Sequence, residues 1–146
     1  MIDDIIVGLL ETYNTNNPFE LCDFLDIKII SSNLGSDIKG FFQRTEEGYE
    51  IIHINSTLDY NESKYICAHE LGHAILHTDL SISFFIENSL QIKNKFEIQA
   101  DIFAAELLIS NEQVDLISIT DMTMDQLSSY FRVPADLIKY KFSREV

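Results

Sequence analysis

The sequence predicts an α+β fold in which helices pack on one side of a small, mostly antiparallel sheet. Apolar residues recur at helical spacing in several segments, while three short runs between residues 26 and 54 have the composition and length of strands. The chain has 146 residues, of which 46% are hydrophobic, and it contains no repeats, linkers or low-complexity tracts. We therefore expect one domain over residues 1–146, large enough for a core of its own.

The first third of the chain predicts two helices and the three strands. Residues 2–13 are apolar at positions 2, 5, 6, 9 and 10, which is the spacing of one helix face. Asn17 followed by Pro18 predicts a second, short helix, because asparagine caps helix N-termini and proline suits the first helical position. Strands are predicted at 26–30, 40–44 and 49–54, with a glycine-containing hairpin turn, Thr45–Gly48, between the last two.

The remainder of the chain predicts helices at about 60–77, 95–109, 112–118, 123–131 and 135–143, with a loop over Thr78–Asn94. The last two helices, within Met124–Ile138, resemble a helix-turn-helix, which taken alone would be a DNA-reading motif. Its second helix, however, offers only three cations, Lys139, Lys141 and Arg144. We therefore favour a helical hairpin that packs under the core.

The pentad His69-Glu70-Leu71-Gly72-His73 carries the clearest chemical signal. Histidines four positions apart on a helix are separated by about 40° around the axis and about 6 Å along it, so both imidazoles can reach one cation. Glu70 lies roughly 100° round from His69, where its carboxylate can take a proton from a water molecule beside that cation. This is the H-E-x-x-H pattern of zinc hydrolases, and the alternative is a helix that carries these residues by chance.

A second helical segment supplies candidates for the rest of a metal site. A catalytic zinc ion takes three protein ligands and keeps one position open for water. Glu97 and Asp101 are four positions apart on the predicted helix at 95–109 and so share one face. Glu97 is placed to be the third ligand, and Asp101 to accept the free ring N–H of a ligating histidine. The alternative for both acids is a solvated helix edge.

These segments resemble the ImmA/IrrE metallopeptidases of bacteria, phages and mobile elements. The resemblance is carried by Ala68–His77 and Glu97–Leu108, with a similar lead-in at Gly40, Ile51–Asn55 and Lys64–Ala68. It implies a zincin-like fold of the gluzincin type, with His69, His73 and Glu97 as zinc ligands and Glu70 as general base. It also implies that the substrate is a regulatory protein, a helix-turn-helix repressor.

The chain departs from the family pattern at two places. Many relatives have a second glutamate where this chain has Gln99, which leaves Glu97 as the only carboxylate at that place. Relatives often close the second helix with Leu-Met-Pro, where this chain has Leu108-Ile109-Ser110. The second departure concerns only the helix end, since Ser110 can cap the next helix.

Three other polar residues have two interpretations each. His77 follows His73 by four positions, but a fourth protein ligand would fill the position that water needs, so we interpret His77 as a helix-end residue or a partner of a ligand. His53 either faces the cleft and stabilises an oxyanion or alternates outward, and the period of two favours the outward side. Tyr65 lies one turn before His69, and a place in the core is favoured over a hydroxyl contribution to the site.

Composition predicts a cytoplasmic protein. The two cysteines, Cys22 and Cys67, are far apart in sequence and favour a reducing compartment over a disulfide framework. Residues 1–4 include acids where a signal peptide has positive charge, and the most apolar stretch, Ile82–Ile86, is too short to cross a bilayer. The net charge of −14 argues against nucleic acid as a partner and fits a basic protein partner, although solubility alone also explains it.

The residues together predict metal-assisted hydrolysis of a peptide bond, in which Glu70 accepts a proton from the attacking water and returns it to the leaving amine. Residues 50–55 could offer an edge strand to an extended peptide. One alternative is a zinc-containing antirepressor or sensor that sequesters a regulator without hydrolysis, and the intact Glu70 counts against it. Another is a DNA partner for the C-terminal hairpin, and the acidic charge counts against that.

Overall fold

A computed structural model describes residues 1–78, 95–111, 114 and 121–143. In this part of the chain the helices are α1 (Ile2–Tyr13), α2 (Pro18–Phe24), α3 (Tyr60–Leu76), α4 (Lys95–Leu108), α5 (Met124–Phe131) and α6 (Ala135–Ser143), and the strands are β1 (Ile27–Ser32), β2 (Gly40–Arg44) and β3 (Glu50–Asn55). These predicted elements are confirmed, with ends within two residues of those expected. The loop after Thr78 and nearly all of the helix expected at 112–118 lie outside the described residues.

The three strands form a mixed sheet in the order β1-β3-β2. β2 pairs with β3 antiparallel through the turn at Gly48, whereas β1 pairs with β3 parallel, from Ile27 opposite Glu50 to Ser32 opposite Asn55. The expectation of a mostly antiparallel sheet is therefore corrected. The chain reverses direction twice between β1 and β3, so these two strands point the same way, and the central place of β3 makes them neighbours.

The central position of β3 also corrects the expectation that residues 50–55 offer an edge strand. Both sides of β3 are paired, and the edges of the sheet are β1 and β2. Ile52 and Ile54 of β3 are 0% and 3% exposed, which explains why the most apolar strand takes the central position.

Helix α3 packs on one face of this sheet, against β2 and β3. Gly40 on β2 permits the close approach, because a Cβ atom at that position would lie 2.6 Å from Cγ2 of Ile66. On its other side α3 packs along α4, where Gly72 leaves room for the buried ring of Phe103: a Cβ at Gly72 would lie 3.1 Å from Cβ of Phe103. Two glycines thus bring the pentad close to both the sheet and the second helix.

Both ends of α3 are held by side chains. The carboxylate of Asp59 accepts a hydrogen bond from the backbone N–H of Glu62 at 2.8 Å and caps the N-terminus. At the other end the guanidinium of Arg44 donates to the carbonyl oxygens of Ala74 and Thr78, at 3.4 and 3.2 Å, and pairs with Glu50 at 2.8 Å. These contacts satisfy one carbonyl of the last turn and one just beyond the helix, and they connect this end of α3 to β2.

The C-terminal helices α5 and α6 pack against each other, and α6 also packs against α4. Lys141 on α6 is 5% exposed, and its ammonium donates to Oε2 of Glu106 at 2.9 Å and to Oδ1 of Asn111 at 2.8 Å. Lys141, one of the three cations considered for DNA contact, therefore points toward the protein interior. Among the described helices, none combines the length and apolar character that crossing a membrane requires.

We predict that Lys141→Ala lowers the free energy of unfolding by about 3–5 kcal/mol, since it leaves the partly buried carboxylate of Glu106 without its cation. The matched control is Lys139→Ala on the same helix, which removes an exposed lysine and should change the free energy by less than about 0.5 kcal/mol. Urea unfolding followed by circular dichroism measures both. Equal stabilities of the two variants would contradict the prediction.

Cys22 and Cys67 are free and buried, with their sulfur atoms 3.8 Å apart between α2 and α3. The contact with Cys22 together with burial raises the pKa of the Cys67 thiol well above its usual range. The two cysteines pack here as small apolar side chains that join α2 to the pentad-bearing helix.

Candidate metal centre

The structure brings His69 and His73 of α3 together with Glu97 of α4. One potential ligand atom from each side chain lies within 4.8 Å of the others. Nε2 of His69 is 2.8 Å from Oε2 of Glu97, and Nε2 of His73 is 3.2 Å from Oε1 of the same carboxylate. The two imidazoles therefore converge on a single carboxylate from the neighbouring helix.

This convergence follows from the geometry of the two helices. Residues four apart on α3 project their side chains in nearly the same direction, which places both imidazoles toward α4. The facing side of α4 carries small buried residues, Ala100 and Ala104, each 0% exposed. Small residues let the helix backbones approach, so that a carboxylate one turn from Ala100 can reach both rings.

The Nδ1 atom of His69, on the side of the ring away from Glu97, is hydrogen-bonded to a buried acid. Nδ1 of His69 donates to Oδ1 of Asp101 at 2.8 Å, and the hydroxyl of Tyr65 donates to the same oxygen at 2.7 Å. Asp101 is 0% exposed, so these hydrogen bonds replace the water that its carboxylate loses. Asp101 thus contacts the ring nitrogen of His69 that faces away from Glu97.

The structure corrects the interpretation that favoured a purely core role for Tyr65. Its ring does pack against the hydrophobic core. Its hydroxyl nevertheless belongs to the polar cluster, and burial followed by the charge of Asp101 raises the pKa of Tyr65 well above its ordinary value. The phenol therefore stays protonated and acts as a donor.

The Nδ1 atom of His73 contacts a second imidazole, that of His77. This atom lies 2.9 Å from Nδ1 of His77, whose Nε2 lies 2.8 Å from Oε1 of Gln99 on α4. The ring of Phe96 meets the ring of His77 edge-on, with centroids 5.1 Å apart. His77 is both the C-terminal cap residue of α3 and a contact of His73, which fits the interpretation as a helix-end residue and that as a partner of a candidate ligand.

The charges in this cluster are strongly coupled. Burial lowers the pKa of His69, but its hydrogen bonds with Asp101 and Glu97 outweigh burial and raise that pKa to about 10. Burial raises the pKa of Glu97, but its contacts with the two histidines outweigh this and hold that pKa well below its usual range. For His73, burial dominates and lowers the pKa. A cation that binds here therefore displaces a proton from His69, and its affinity falls as the pH is lowered.

Glu70 lies within the same low-dielectric surroundings and is 6% exposed. Burial raises the pKa of its carboxyl to about 7, while attraction to His69 opposes the shift and repulsion from Glu97 and Asp101 adds to it. A carboxyl group with a pKa near neutrality is suited to both accepting and returning a proton. A divalent cation beside it would favour the ionised form, and hence the base.

The donor set fits a metal ion of the zinc type. Two imidazole nitrogens and one carboxylate oxygen are the ligands that borderline divalent cations prefer, and three protein ligands leave room for water and substrate. The hydrogen bonds behind both histidines supply the outer support that ligating histidines have in metal sites. Among the residues that the structure describes, these three form the group found with this geometry.

Comparison with known proteins places the chain in a family. Residues 22–143 match the model of the IrrE N-terminal-like domain, peptidase family M78. The chain belongs to this family. It is 36% identical over 141 residues to uncharacterized immunity region protein 2 of Bacillus phage phi105, covering 97% of this chain and 89% of that protein. It is 33% identical over 142 residues to metallopeptidase ImmA of Bacillus subtilis (strain 168), covering 95% of this chain and 82% of that protein.

The match to the IrrE N-terminal-like family confirms the resemblance inferred from the pentad and α4. The matched residues include the sheet, α3 and α4, and therefore every residue of the polar cluster. Helix α1 (Ile2–Tyr13) lies before the match, and it packs against α4. Membership of this family supports a peptidase activity for the chain.

Two members of the cluster were missed or undervalued by reasoning from the sequence. Gln99 was considered only as a departure from the family pattern, and for Tyr65 a place in the core was favoured over a hydroxyl contribution to the site. The spacing held a signal for Tyr65, which precedes His69 by four positions, but none for Gln99, because residues two apart on a helix, such as Gln99 and Asp101, do not share a face. What the spacing could not give was the partner of each side chain.

His53 lies away from the cluster, on the other face of the sheet. Its neighbours Ile52 and Ile54 point into the core, whereas His53 is half-buried, stacks on Phe41 with ring centroids 4.3 Å apart, and contacts Oε1 of Gln43 at 2.8 Å. The outward interpretation from the alternation is confirmed.

Proposed function

We propose that this chain is a zinc-dependent endopeptidase of the cytoplasm, with His69, His73 and Glu97 as zinc ligands and Glu70 as the general base. The observation that carries the proposal is the convergence of two imidazoles and one carboxylate beside the buried Glu70. The similarity to a protein named as a metallopeptidase supports the reaction class. A pentad-bearing helix on a mixed sheet, with a glutamate from a second helix, also supports a zincin-like fold of the gluzincin type.

In this proposal each side chain has a separate task. When bound, zinc supplies Lewis acidity, which stabilises negative charge on oxygen and makes a water molecule a stronger nucleophile at neutral pH. Glu70 accepts the proton of the attacking water and returns it to the nitrogen of the leaving amine. Asp101, supported by Tyr65, orients His69 and stabilises positive charge on its ring.

A substrate strand could bind along β2. This strand follows α3 from Ile66, beside Gly40, to the carbonyl of Ala74, beside Arg44, and so runs past the pentad. In the described part of the chain β2 pairs with β3 on one side only. Its other edge therefore supports addition of an extended peptide through main-chain hydrogen bonds. This replaces the earlier expectation for residues 50–55.

The substrate that we propose is a helix-turn-helix repressor of a phage or mobile element. A relative named as an immunity region protein of a phage supports this genetic setting. A chain with a net charge of −14 attracts basic proteins and repels nucleic acid, which favours a DNA-binding protein over DNA as the partner.

The test combines metal content and cleavage. The purified protein should carry about one zinc ion per chain by elemental analysis, and His69→Ala or His73→Ala should release it. Incubation with the repressor encoded beside this gene should give discrete fragments, which a chelator prevents and added zinc restores. Full zinc retention in both alanine variants would overturn the metal assignment, and an intact repressor in the presence of zinc would overturn the proposed substrate.

A further inference from the structure

His73 contacts a second histidine that the proposed reaction does not use. His77 is 5% exposed, and its two nitrogens reach different elements: Nδ1 lies 2.9 Å from Nδ1 of His73, and Nε2 lies 2.8 Å from Oε1 of Gln99. Phe96 packs edge-on against the same ring. The orientation of His77 is thus determined by its contacts on α3 and α4 together.

With His77 neutral and its Nε2 facing the oxygen of Gln99, the two hydrogen bonds of His77 specify the hydrogens on both rings. An amide oxygen only accepts hydrogen bonds, so Nε2 of His77 donates to Gln99. A neutral imidazole carries a single N–H, which leaves Nδ1 of His77 as an acceptor. Nδ1 of His73 then donates to it, which leaves the lone pair of His73 on Nε2, 3.2 Å from Oε1 of Glu97. A lone pair and a carboxylate oxygen repel each other at this distance, so this arrangement of hydrogens belongs to the state in which both groups bind a cation.

We propose that His77 and Gln99 are positioning residues that hold His73 in the tautomer with its lone pair on Nε2, directed at the metal centre. This inference rests on the proposed zinc site. A histidine whose other nitrogen is already engaged as a donor binds a metal ion without a change of tautomer or ring orientation.

The two histidines of the pentad are therefore held in chemically different ways. His69 donates to the anionic Asp101, whereas His73 donates to the neutral imidazole of His77, which in turn donates to the amide of Gln99. His77 and Gln99 orient the ring of His73 without adding negative charge. The cluster already holds three carboxylates, those of Glu70, Glu97 and Asp101. Gln99 needs only its carbonyl oxygen for this role, since it accepts one hydrogen bond from Nε2 of His77.

Two substitutions of His77 separate orientation from packing. His77→Phe keeps a ring of similar shape, and with it the contact with Phe96, but has no nitrogen. His77→Asn loses the ring but keeps an amide oxygen that can accept from Nδ1 of His73. We expect His77→Phe to weaken zinc binding about 10- to 100-fold and His77→Asn to recover most of that loss, measured by competition with a chromophoric chelator. A packing role would give the opposite order.

The tautomers can be read by a measurement other than activity. In the ¹⁵N-labelled, zinc-bound protein, long-range ¹H–¹⁵N correlation of the imidazoles should show His77 protonated on Nε2 and His73 protonated on Nδ1. Gln99→Glu retains an acceptor oxygen and should leave this pattern unchanged. Gln99→Leu removes the acceptor and should give His77 a mixture of both tautomers. Thermal unfolding in the presence of chelator verifies that each variant is folded.

A hydrogen on Nδ1 of His77 in the zinc-bound wild-type protein, or wild-type zinc affinity in folded His77→Phe, would overturn the proposal. Failure of the metal centre itself gives a different result, because wild-type protein would then bind no zinc.

Discussion

Glu70→Gln is expected to abolish cleavage of the substrate protein while zinc remains bound. The substitution keeps the size of the side chain and leaves the three candidate ligands unchanged, but an amide cannot accept the proton of the attacking water. Loss of a general base lowers the rate about 10²- to 10⁴-fold, which would leave the repressor intact on the time scale of the assay. Cleavage is followed on a gel, and zinc content by elemental analysis.

The matched control is Glu62→Gln, which makes the same chemical change on an exposed position in the first turn of the same helix. It should retain both zinc and cleavage. Expression of each variant with its repressor then separates the enzyme from an antirepressor that acts by sequestration. Glu70→Gln should fail to relieve repression. Persistent derepression by this variant, with the repressor at full length, would contradict the peptidase proposal and support sequestration.

The second large effect is expected at Glu97. Glu97→Gln replaces a carboxylate that contacts both histidines by a neutral amide, which is a poor ligand for zinc, and we expect it to lose most of its bound metal. Asp101→Asn removes the charge behind His69 but no ligand, so zinc affinity or activity should fall only about 10- to 100-fold. Competition with a chelator of known affinity measures the zinc affinity of both variants.

Glu106→Gln on the same helix controls for stability. Glu106 pairs with Lys141 at 2.9 Å and not with the candidate ligands, so this variant should be less stable toward urea yet bind zinc as the wild type does. The expected ranking of zinc loss is therefore Glu97→Gln, then Asp101→Asn, with Glu106→Gln last. A larger loss from Asp101→Asn than from Glu97→Gln would make Asp101 the ligand and overturn the assignment of roles on α4.

The elements that were predicted correctly from the sequence depend on residues that are close together along the chain. The spacing within Ile2–Tyr13 and Lys95–Leu108 records which face of a helix is apolar, and caps such as Asn17 are read from neighbouring residues. The candidate ligands were found for the same reason, since residues four apart on a helix share a face wherever that helix packs. Each of these inferences needs only residues that are close along the chain.

The inferences that required correction depend on how distant segments meet. The hairpin of β2 and β3 was predictable, but the pairing of β1 with β3 was not, because strand order is decided by burial in the finished sheet. Lys141 was read as an available cation, and its burial against Glu106 depends on the packing of α6 on α4. The loop after Thr78 is a further prediction that lies outside the described residues.

By itself, the sequence determined which groups are candidates for the chemistry: two imidazoles at helical spacing, a carboxylate beside them, and a second helix with acids four residues apart. The tertiary structure decided what holds each of these groups. It placed Asp101 and Tyr65 behind His69, and His77 and Gln99 behind His73. The reason is physical, because a hydrogen bond requires two side chains within about 3 Å, and that distance is set by how α3 and α4 cross, which no local pattern specifies.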